Sequence, residues 1–293
     1  MLTMSAYVAE LYTYPIKGCA AMPQDTASIV ETGLAYDRQW LLVDDSGNFL
    51  SQRRFPQLAT VQQTISRTEL VVQVPNFGSV SVALAADNLD TEPEQRVDFF
   101  AQAGTGRAQS TEANRFFSQL LGRHTRLLRS VQPRHVNEKY QRYGAAATIG
   151  FADAFPILLT SKQSLAAFNT TLDQPAPMDR FRANIVIDGK NLEPYIEDHW
   201  RKLALGDVQA FVVRACARCA VPDIDQKSGI RDSTKAVTKN LRANRHGLDR
   251  FSGSTGDFFG QNILPVYIPG MQLSIGNNIS VLQHNSKANI QLD

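Results

Sequence analysis

The segment WLLVDDSGNFL, residues 40–50, places apolar runs on both sides of the turn-forming residues at 45–48. This pattern predicts two short strands joined by a turn. Similar strands are predicted at AYVAELYTYPI (6–16), ELVVQV (69–74), SVSVAL (79–84) and RVDFF (96–100). The first of them is expected to end near Ile16, before a turn. The N-terminal half is therefore predicted to be mostly β.

The second half also shows short strands, but with helices between some of them. The predicted strands are FPILLT (155–160), ANIVI (183–187), VQAFVV (208–213), ILPVYI (263–268) and LSIGNNISVL (273–282). Strands that do not alternate strictly with helices favour an α+β or barrel architecture over a doubly wound sheet. The fold class is therefore predicted to be β-rich α+β.

Three helices are predicted from apolar spacing and capping residues. Residues 112–121 carry apolar side chains at helical spacing and are followed by Gly122, a typical C-terminal cap. Thr160 and Gln163 form a capping-box pattern before a second helix. A third helix is predicted at 234–244.

The chain length of 293 residues suggests two domains, at roughly 150 residues each. Residues 132–150 contain Pro133 and two glycines and show no sustained apolar periodicity, which is typical of a domain boundary. We therefore predict an N-terminal β-rich domain at 1–130 and a second domain at 131–293.

The composition is that of a globular protein, with a net charge of +2 that does not by itself point to nucleic acid. Neither a secretory signal nor a long apolar segment is evident, so a cytoplasmic protein without a membrane partner is expected. Residues 201–250 contain eleven Lys or Arg against five Asp, which favours an anionic partner or a solvated basic face in that region.

Two of the three cysteines, Cys216 and Cys219, lie within VVRACARCAVPDID at 212–225. Four interpretations are open: a structural zinc site, a thioredoxin-like redox pair, two small buried residues, or one thiolate bound to a metal held by an organic cofactor. The other ligands for zinc are lacking, and Pro222 disfavours the helix that a redox pair begins. The residues alone favour buried cysteines. If the strand continued through the pair, the two thiols would leave on opposite faces.

The chain resembles the MOSC-domain proteins, including the mitochondrial amidoxime-reducing component and its bacterial relatives. The resemblance covers nearly the entire chain and rests on five segments in order. These are LYTYPIKGC, GLAYDRQWLLVD, RFRANIVIDG, EDHWRKLALGDVQAFVVRACARCAVPDIDQKSG and DFFGQN. It implies a MOSC-type N-terminal β domain followed by a MOSC β-barrel domain.

The resemblance also implies a molybdenum–molybdopterin cofactor between the two halves, and no pyridoxal phosphate is expected. Cys219 matches the catalytic cysteine that binds molybdenum, and Cys216 would be an accessory thiol. The positions that match cofactor-binding residues, or neighbours of them, are Lys17, Arg38, Asp153, Arg182, Asn184 and Arg218. Gly18 departs from the pattern, because relatives often have a serine there.

The implied activity is reduction of N-hydroxylated substrates such as amidoximes and hydroxylamines to amidines and amines. Alternatives are a molybdopterin carrier or sulfur-transfer module, and a metal-free CxxC redox protein. No haem motif or four-cysteine iron–sulfur segment is present, so a separate reductase, ferredoxin-like or cytochrome b5-like donor is expected. Lys235, Lys239 and Arg242 would form either a docking face for that donor or a solvated face.

Overall fold

The computed structural model describes residues 5–85, 93–99, 102–137, 140 and 148–292. Its first part consists of short strands, one short 3-10 helix and one α-helix. In chain order these are β1 (Ser5–Thr13), β2 (Met22–Pro23), β3 (Thr26–Val30), β4 (Gly33–Leu34), β5 (Trp40–Val43), the 3-10 helix Pro56–Thr60, β6 (Gln62–Ile65), β7 (Glu69–Val74), β8 (Gly78–Ala83), β9 (Gln95–Phe99), β10 (Gln102–Ala108), α1 (Thr111–Leu121) and β11 (Arg126–Gln132).

The described residues of the second part form further strands, α-helices and 3-10 helices. These are β12 (Arg134–His135), β13 (Thr148–Ile149), β14 (Ile157–Ser161), α2 (Lys162–Asn169), the 3-10 helix Met178–Phe181, β15 (Ile185–Lys190), the 3-10 helix Ile196–His199, β16 (Trp200–Leu205), β17 (Val208–Ala217), the 3-10 helix Val221–Asp223, α3 (Ala236–Arg245), β18 (His246–Asp249), β19 (Ser254–Pro265), β20 (Gln272–Ser274), β21 (Asn278–His284) and β22 (Ile290–Leu292).

Seven strands close into a barrel in the order β14-β15-β1-β21-β16-β17-β19, and β19 pairs with β14 to complete the ring. Strand β1 pairs antiparallel with both β15 and β21, so the first strand of the chain belongs to a barrel otherwise built from the second half. Its inward side chains are fully buried with those of the other strands, for example Val8, Leu11, Ile187, Leu203 and Val212. The predicted β-rich fold with a barrel is confirmed.

Strands β5 to β11 of the N-terminal half form smaller sheets over a separate core, whereas β3 and β4 form a sheet with β20 and contribute Ala27, Ile29 and Leu34 to the barrel core. Strands β5, β11, β10 and β9 make one antiparallel sheet, and β6, β7 and β8 make another. Helix α1 buries Phe117 and Leu121 in the core that these sheets share with Trp40, Leu70 and Val72. This half therefore has its own hydrophobic core, which is the physical requirement for an independent folding unit.

The predicted hairpin at 40–50 forms β5 and a much shorter return. Phe49 bridges Val43, and the Leu50 N–H donates to the Leu42 carbonyl at 2.9 Å. The Asp44 carboxylate accepts backbone hydrogen bonds from Ser46 and Asn48. These hydrogen bonds stabilise a turn, where a longer hairpin would have further pairs between its two strands. The second predicted strand is therefore reduced to the bridge at Phe49.

Helix α1 confirms its sequence prediction: Ser110 caps its first turn and Gly122 ends it in the left-handed conformation, φ +63°. The capping box at Thr160 is wrong by one residue, because Ser161 is the N-cap and accepts from the Ser164 N–H. Thr160 is still paired in β14. Among the described residues, no helix has both the length and the apolar content needed to cross a lipid bilayer.

The predicted boundary at residues 130 and 131 stays a prediction. The described residues between 132 and 150 include the short antiparallel pair β12 and β13, and β1 joins the N-terminal segment to the barrel. Phe100, the last residue of the predicted strand RVDFF, and about half of the predicted boundary segment (138, 139 and 141–147) lie outside the described residues.

A buried acidic pair, Glu197 and Asp198, makes stability depend on pH. Asp198 binds the Arg245 guanidinium at 2.5 Å, and Glu197 accepts from the Ser164 hydroxyl at 2.7 Å. Burial, with the Asp198 charge second, raises the pKa of Glu197 to about 7, from an ordinary value of 4.5. Because the folded pKa is the higher one, this contribution to stability is present below pH 4.5 and is lost as the pH rises through 7.

We therefore expect Glu197→Gln to stabilise the protein at pH 8 by about 1–3 kcal/mol relative to wild type, and the gain to vanish towards pH 5. Urea unfolding of both proteins at the two pH values measures the difference. An equal difference at both pH values would contradict the assigned burial effect.

Candidate functional site

The two halves of the chain meet at a cavity of about 300 Å³, near the lower end of the range of roughly 300–1,000 Å³ for ligand pockets. Its walls come from the N-terminal half around 17–18, 38 and 49–53, and from the second half around 152–155, 181–184 and 214–219. The structure brings all seven predicted site residues to this cavity: Lys17, Arg38, Asp153, Arg182, Asn184, Arg218 and Cys219. Their roles as ligands stay predictions.

Lys17 reaches the cavity from the segment after β1 and is only 8% exposed. Its Nζ donates to the Phe151 carbonyl at 2.7 Å and pairs with the Asp153 carboxylate, whose side chain is exposed. Burial lowers the pKa of Lys17, and the Asp153 charge opposes that shift. Gly18 next to it has φ +92°, where an L side chain such as serine would be strained.

Arg38 and Arg182 flank the site from opposite halves of the chain. Both have left-handed backbone conformations, φ +47° and +53°, which are uncommon for residues other than glycine and often occur at functional sites. Both guanidinium groups lie over the Tyr14 ring, at 4.2 and 4.3 Å from its centroid. The buried Asp37 carboxylate accepts from Arg38 Nη1 at 2.5 Å, so a fixed anion holds the Arg38 side chain in place.

Asn184 lies just before β15, is 1% exposed, and uses both ends of its amide inside the protein. Its Oδ1 accepts from Arg38 Nη1 at 2.9 Å and from the Leu158 N–H at 3.1 Å. Its Nδ2 donates to the Tyr12 carbonyl and to Asp37 Oδ1. The amide therefore positions Arg38, while direct contact with a cofactor stays a prediction.

The two cysteines lie on the same cavity wall. Strand β17 ends at Ala217, so Cys216 is in the strand and Cys219 is in the loop beyond it. The condition under which the two thiols would leave on opposite faces is not met, because the strand ends before Cys219. Cys216 packs against the apolar cluster that contains Leu158, whereas Cys219 is exposed.

Arg218 contacts the thiol of Cys216. Its Nη1 donates to Cys216 Sγ at 3.0 Å, and its Nη2 donates to the Phe181 carbonyl at 2.7 Å. The guanidinium is thus fixed between the cysteine strand and the segment that precedes Arg182. Its buried Nε has no hydrogen-bond partner among the described residues.

The cavity is strongly cationic. The described lining residues include one carboxylate, Asp153, and six cationic side chains: Lys17, Arg38, Arg53, Arg182, Arg214 and Arg218. Arginine binds phosphate and carboxylate groups through paired hydrogen bonds, and lysine acts as a compact point charge. This set of side chains, beside an exposed thiol, can bind an anionic ligand and offer one sulfur atom to a metal.

Sequence reasoning missed the contacts that close the cavity on one side. Gln52 Nε2 donates to Gln226 Oε1 at 3.0 Å, and Arg182 Nη1 donates to the same oxygen at 3.3 Å. Arg53, which lines the cavity beside Gln52, was also missed. Gln226 lies within the quoted segment that follows the cysteines, but a lone glutamine carries no signal of its partners.

The chain matches known protein families over most of its length. Family models match the MOSC N-terminal beta barrel domain at residues 5–124 and the MOSC domain at residues 146–268. The chain is 29% identical over 233 residues to mitochondrial amidoxime-reducing component 1 of Xenopus laevis, covering 76% of this chain and 67% of that protein. It is 28% identical over 252 residues to component 1 of Homo sapiens, covering 84% and 74%.

The chain is also 27% identical over 241 residues to the molybdenum cofactor sulfurase of Oryza sativa subsp. japonica. That match covers 76% of this chain but only 29% of the sulfurase. Both domain models match in order, and the chain closes a seven-stranded barrel. The protein therefore belongs to the MOSC-domain family.

Proposed function

We propose that the protein is a molybdenum-cofactor-dependent reductase that converts N-hydroxylated compounds, such as amidoximes and hydroxylamines, to amidines and amines. The observation that carries this proposal is the cavity between the two halves. Six cationic side chains line it, together with an exposed thiol. The similarity to amidoxime-reducing components supports the substrate class.

The cavity residues fit a molybdopterin cofactor. Its phosphate is an anion, for which Lys17, Arg38 and Arg182 supply charge-assisted donors, and Arg218, whose buried Nε has no partner among the described residues, adds a further cation to the lining. Cys219 would supply one thiolate ligand, which suits a metal already bound by dithiolene sulfur. When bound, the cofactor supplies the two-electron chemistry, in which R–NH–OH, two electrons and two protons give R–NH₂ and water.

The protein's own contribution is to orient the bound cofactor and to enclose it. Asp37 and Asn184 hold Arg38, while Gln226 and Tyr14 hold Arg182, so the cations are in place before any ligand arrives. Groups that are already ordered lose little conformational entropy on binding. Apolar side chains of Phe49, Phe155 and Phe181 also line the cavity and would exclude water around the bound ligand.

Quantification of molybdenum and pterin in protein purified from a molybdenum-replete host tests the proposal. We expect both near one equivalent per chain, together with amidoxime reduction by reduced viologen. Protein that contains neither molybdenum nor pterin would contradict the proposal and favour a metal-free CxxC redox protein.

The similarity to a molybdenum cofactor sulfurase favours a second candidate, a cofactor carrier or sulfur-transfer module. The two candidates share cofactor binding and differ in turnover. Protein that contains cofactor but does not reduce amidoximes with viologen would support the second candidate over the first.

Dependence on an external electron source is a further expected result. NADH alone should give no amidoxime reduction with the purified protein, whereas reduced viologen should restore it. Substrate-dependent NADH oxidation, followed at 340 nm, measures the first case. Turnover driven by NADH alone would reveal a redox centre that the proposal does not contain.

A further inference from the structure

The loop from Cys219 to helix α3 has one side at the cavity and one side in solvent. Cys219 and Val221 line the cavity. On the other side, Ile230 is 68% exposed, more than any other large apolar side chain in the described part of the chain. A single exposed isoleucine needs no explanation by itself, but this one lies on a tightly held loop.

Contacts with residues 52–57 on one side and with helix α3 on the other hold the backbone around Ile230. On one side Gln226 bonds Gln52, and the Arg231 guanidinium donates to the Arg53 carbonyl. Gly229 has φ +68° and approaches Gln57 so closely that a Cβ would lie 3.0 Å from the Gln57 Cα. These contacts fix the backbone of the loop, and the fixed backbone keeps the Ile230 side chain exposed.

On the other side, the loop is attached to helix α3. The buried Asp223 carboxylate accepts from the Thr238 N–H at 3.0 Å and from the Thr238 hydroxyl at 2.5 Å. Asp223 follows Cys219 by four residues, which span at most about 14 Å. The first turns of α3 therefore lie close to the predicted metal ligand.

Basic residues precede and follow Ile230 along this loop and helix. Lys227, Lys235 and Lys239 are exposed, and none has a carboxylate partner among the described residues. Lys235 is the N-cap residue of α3, and its carbonyl accepts a hydrogen bond from the Lys239 N–H at 3.0 Å. We call Lys227, Ile230, Lys235 and Lys239 the basic patch. Arg242 is excluded, because it pairs with Asp257 at 3.3 Å.

We propose that the basic patch is the docking surface for an acidic electron-donor protein, an inference that rests on the proposed function. An apolar centre with a charged rim is the usual composition of a transient interface, and unpaired lysines attract an acidic partner. The same loop carries Cys219 on its inner side. A donor on this surface therefore sits beside the site that needs its electrons.

The test compares two electron sources in the holoenzyme: reduced benzyl viologen, and a protein donor that is either an acidic [2Fe–2S] ferredoxin or cytochrome b5, each with its reductase. The double variant Lys235→Glu/Lys239→Glu should lower kcat/KM for the protein donor by about tenfold or more at low salt, and flatten its salt dependence. Ile230→Ser should lower it at every salt concentration. Viologen-driven turnover should stay unchanged in both variants.

Matched controls lie away from the patch: Lys190→Glu on an exposed strand end, and Ile268→Ser at a side chain that is 52% exposed. Both should behave as wild type. Equal rates with the protein donor in patch and control variants would overturn the docking proposal while leaving the proposed function intact. Failure of both protein donors to reduce the wild-type enzyme would also overturn it. Absence of viologen-driven turnover in wild type would instead contradict the proposed function, and the docking proposal with it.

Discussion

Replacing Cys219 by serine is expected to reduce amidoxime turnover by about a hundredfold or more, equivalent to roughly 2.7 kcal/mol in transition-state stabilisation. The exposed thiol at the cavity wall is exchanged for a poorly acidic hydroxyl, which is a weak ligand for a soft metal site. Bound pterin should remain near the wild-type amount, because the cationic residues that hold it are unchanged. Turnover with reduced viologen, beside pterin measured as its fluorescent oxidation product, separates the two effects.

The matched control is Cys216→Ser, three residues earlier. Cys216 packs beside Leu158 and accepts a hydrogen bond from Arg218, which a serine oxygen can also accept. Most activity should remain, with a loss of about 1 kcal/mol in the free energy of unfolding. X-ray absorption at the molybdenum edge counts sulfur ligands in each variant. Loss of one sulfur in the Cys216 variant, with none lost in the Cys219 variant, would show that Cys216 is the ligand.

Removal of Arg38 is expected to affect both the cofactor and the fold. Arg38→Met takes away a cavity cation, so cofactor affinity should fall by roughly 2–4 kcal/mol, or about 30- to 1,000-fold. It also leaves the buried Asp37 carboxylate without its ion pair. Burial already raises the pKa of Asp37, and Arg38 opposes that shift. The free energy of unfolding should therefore fall by about 3–5 kcal/mol.

The double variant Asp37→Asn/Arg38→Met separates these effects. Asparagine keeps an oxygen for the N–H groups of Tyr14 and Asn184, and it buries no charge. Most of the lost stability should return in urea unfolding, while pterin occupancy should stay low. Lys17→Met provides a comparison, since its partner Asp153 has an exposed side chain that water can solvate. Full pterin occupancy in both the double variant and Lys17→Met would contradict the role of these cations.

Features that depend on neighbouring residues were predictable from the sequence. Helix α1 begins after Ser110 and ends at Gly122 because a cap, an apolar stripe and a glycine are all local signals. The second helix was misplaced by one cap residue, since Thr160 and Ser161 are both suitable caps. Pairing of both residues with β15 extends the strand through Ser161, and this long-range contact decided between them.

The sequence by itself determined that the chain is β-rich, where most helices and strands lie, and which basic and thiol residues belong to one site. The first two follow from periodicity and capping chemistry, and the third is what the resemblance carried by the five quoted segments implies. Only the tertiary structure decided that β1 completes the barrel between β15 and β21, and that Cys216 and Cys219 share a cavity wall. It also decided that Arg218 contacts Cys216, and that the Asn184 amide accepts from Arg38 while its Nδ2 donates to Tyr12 and Asp37. The physical reason is that these contacts join residues on different strands and loops, and their energies depend on burial and on partners distant in the chain. Local patterns of residues do not encode such partners.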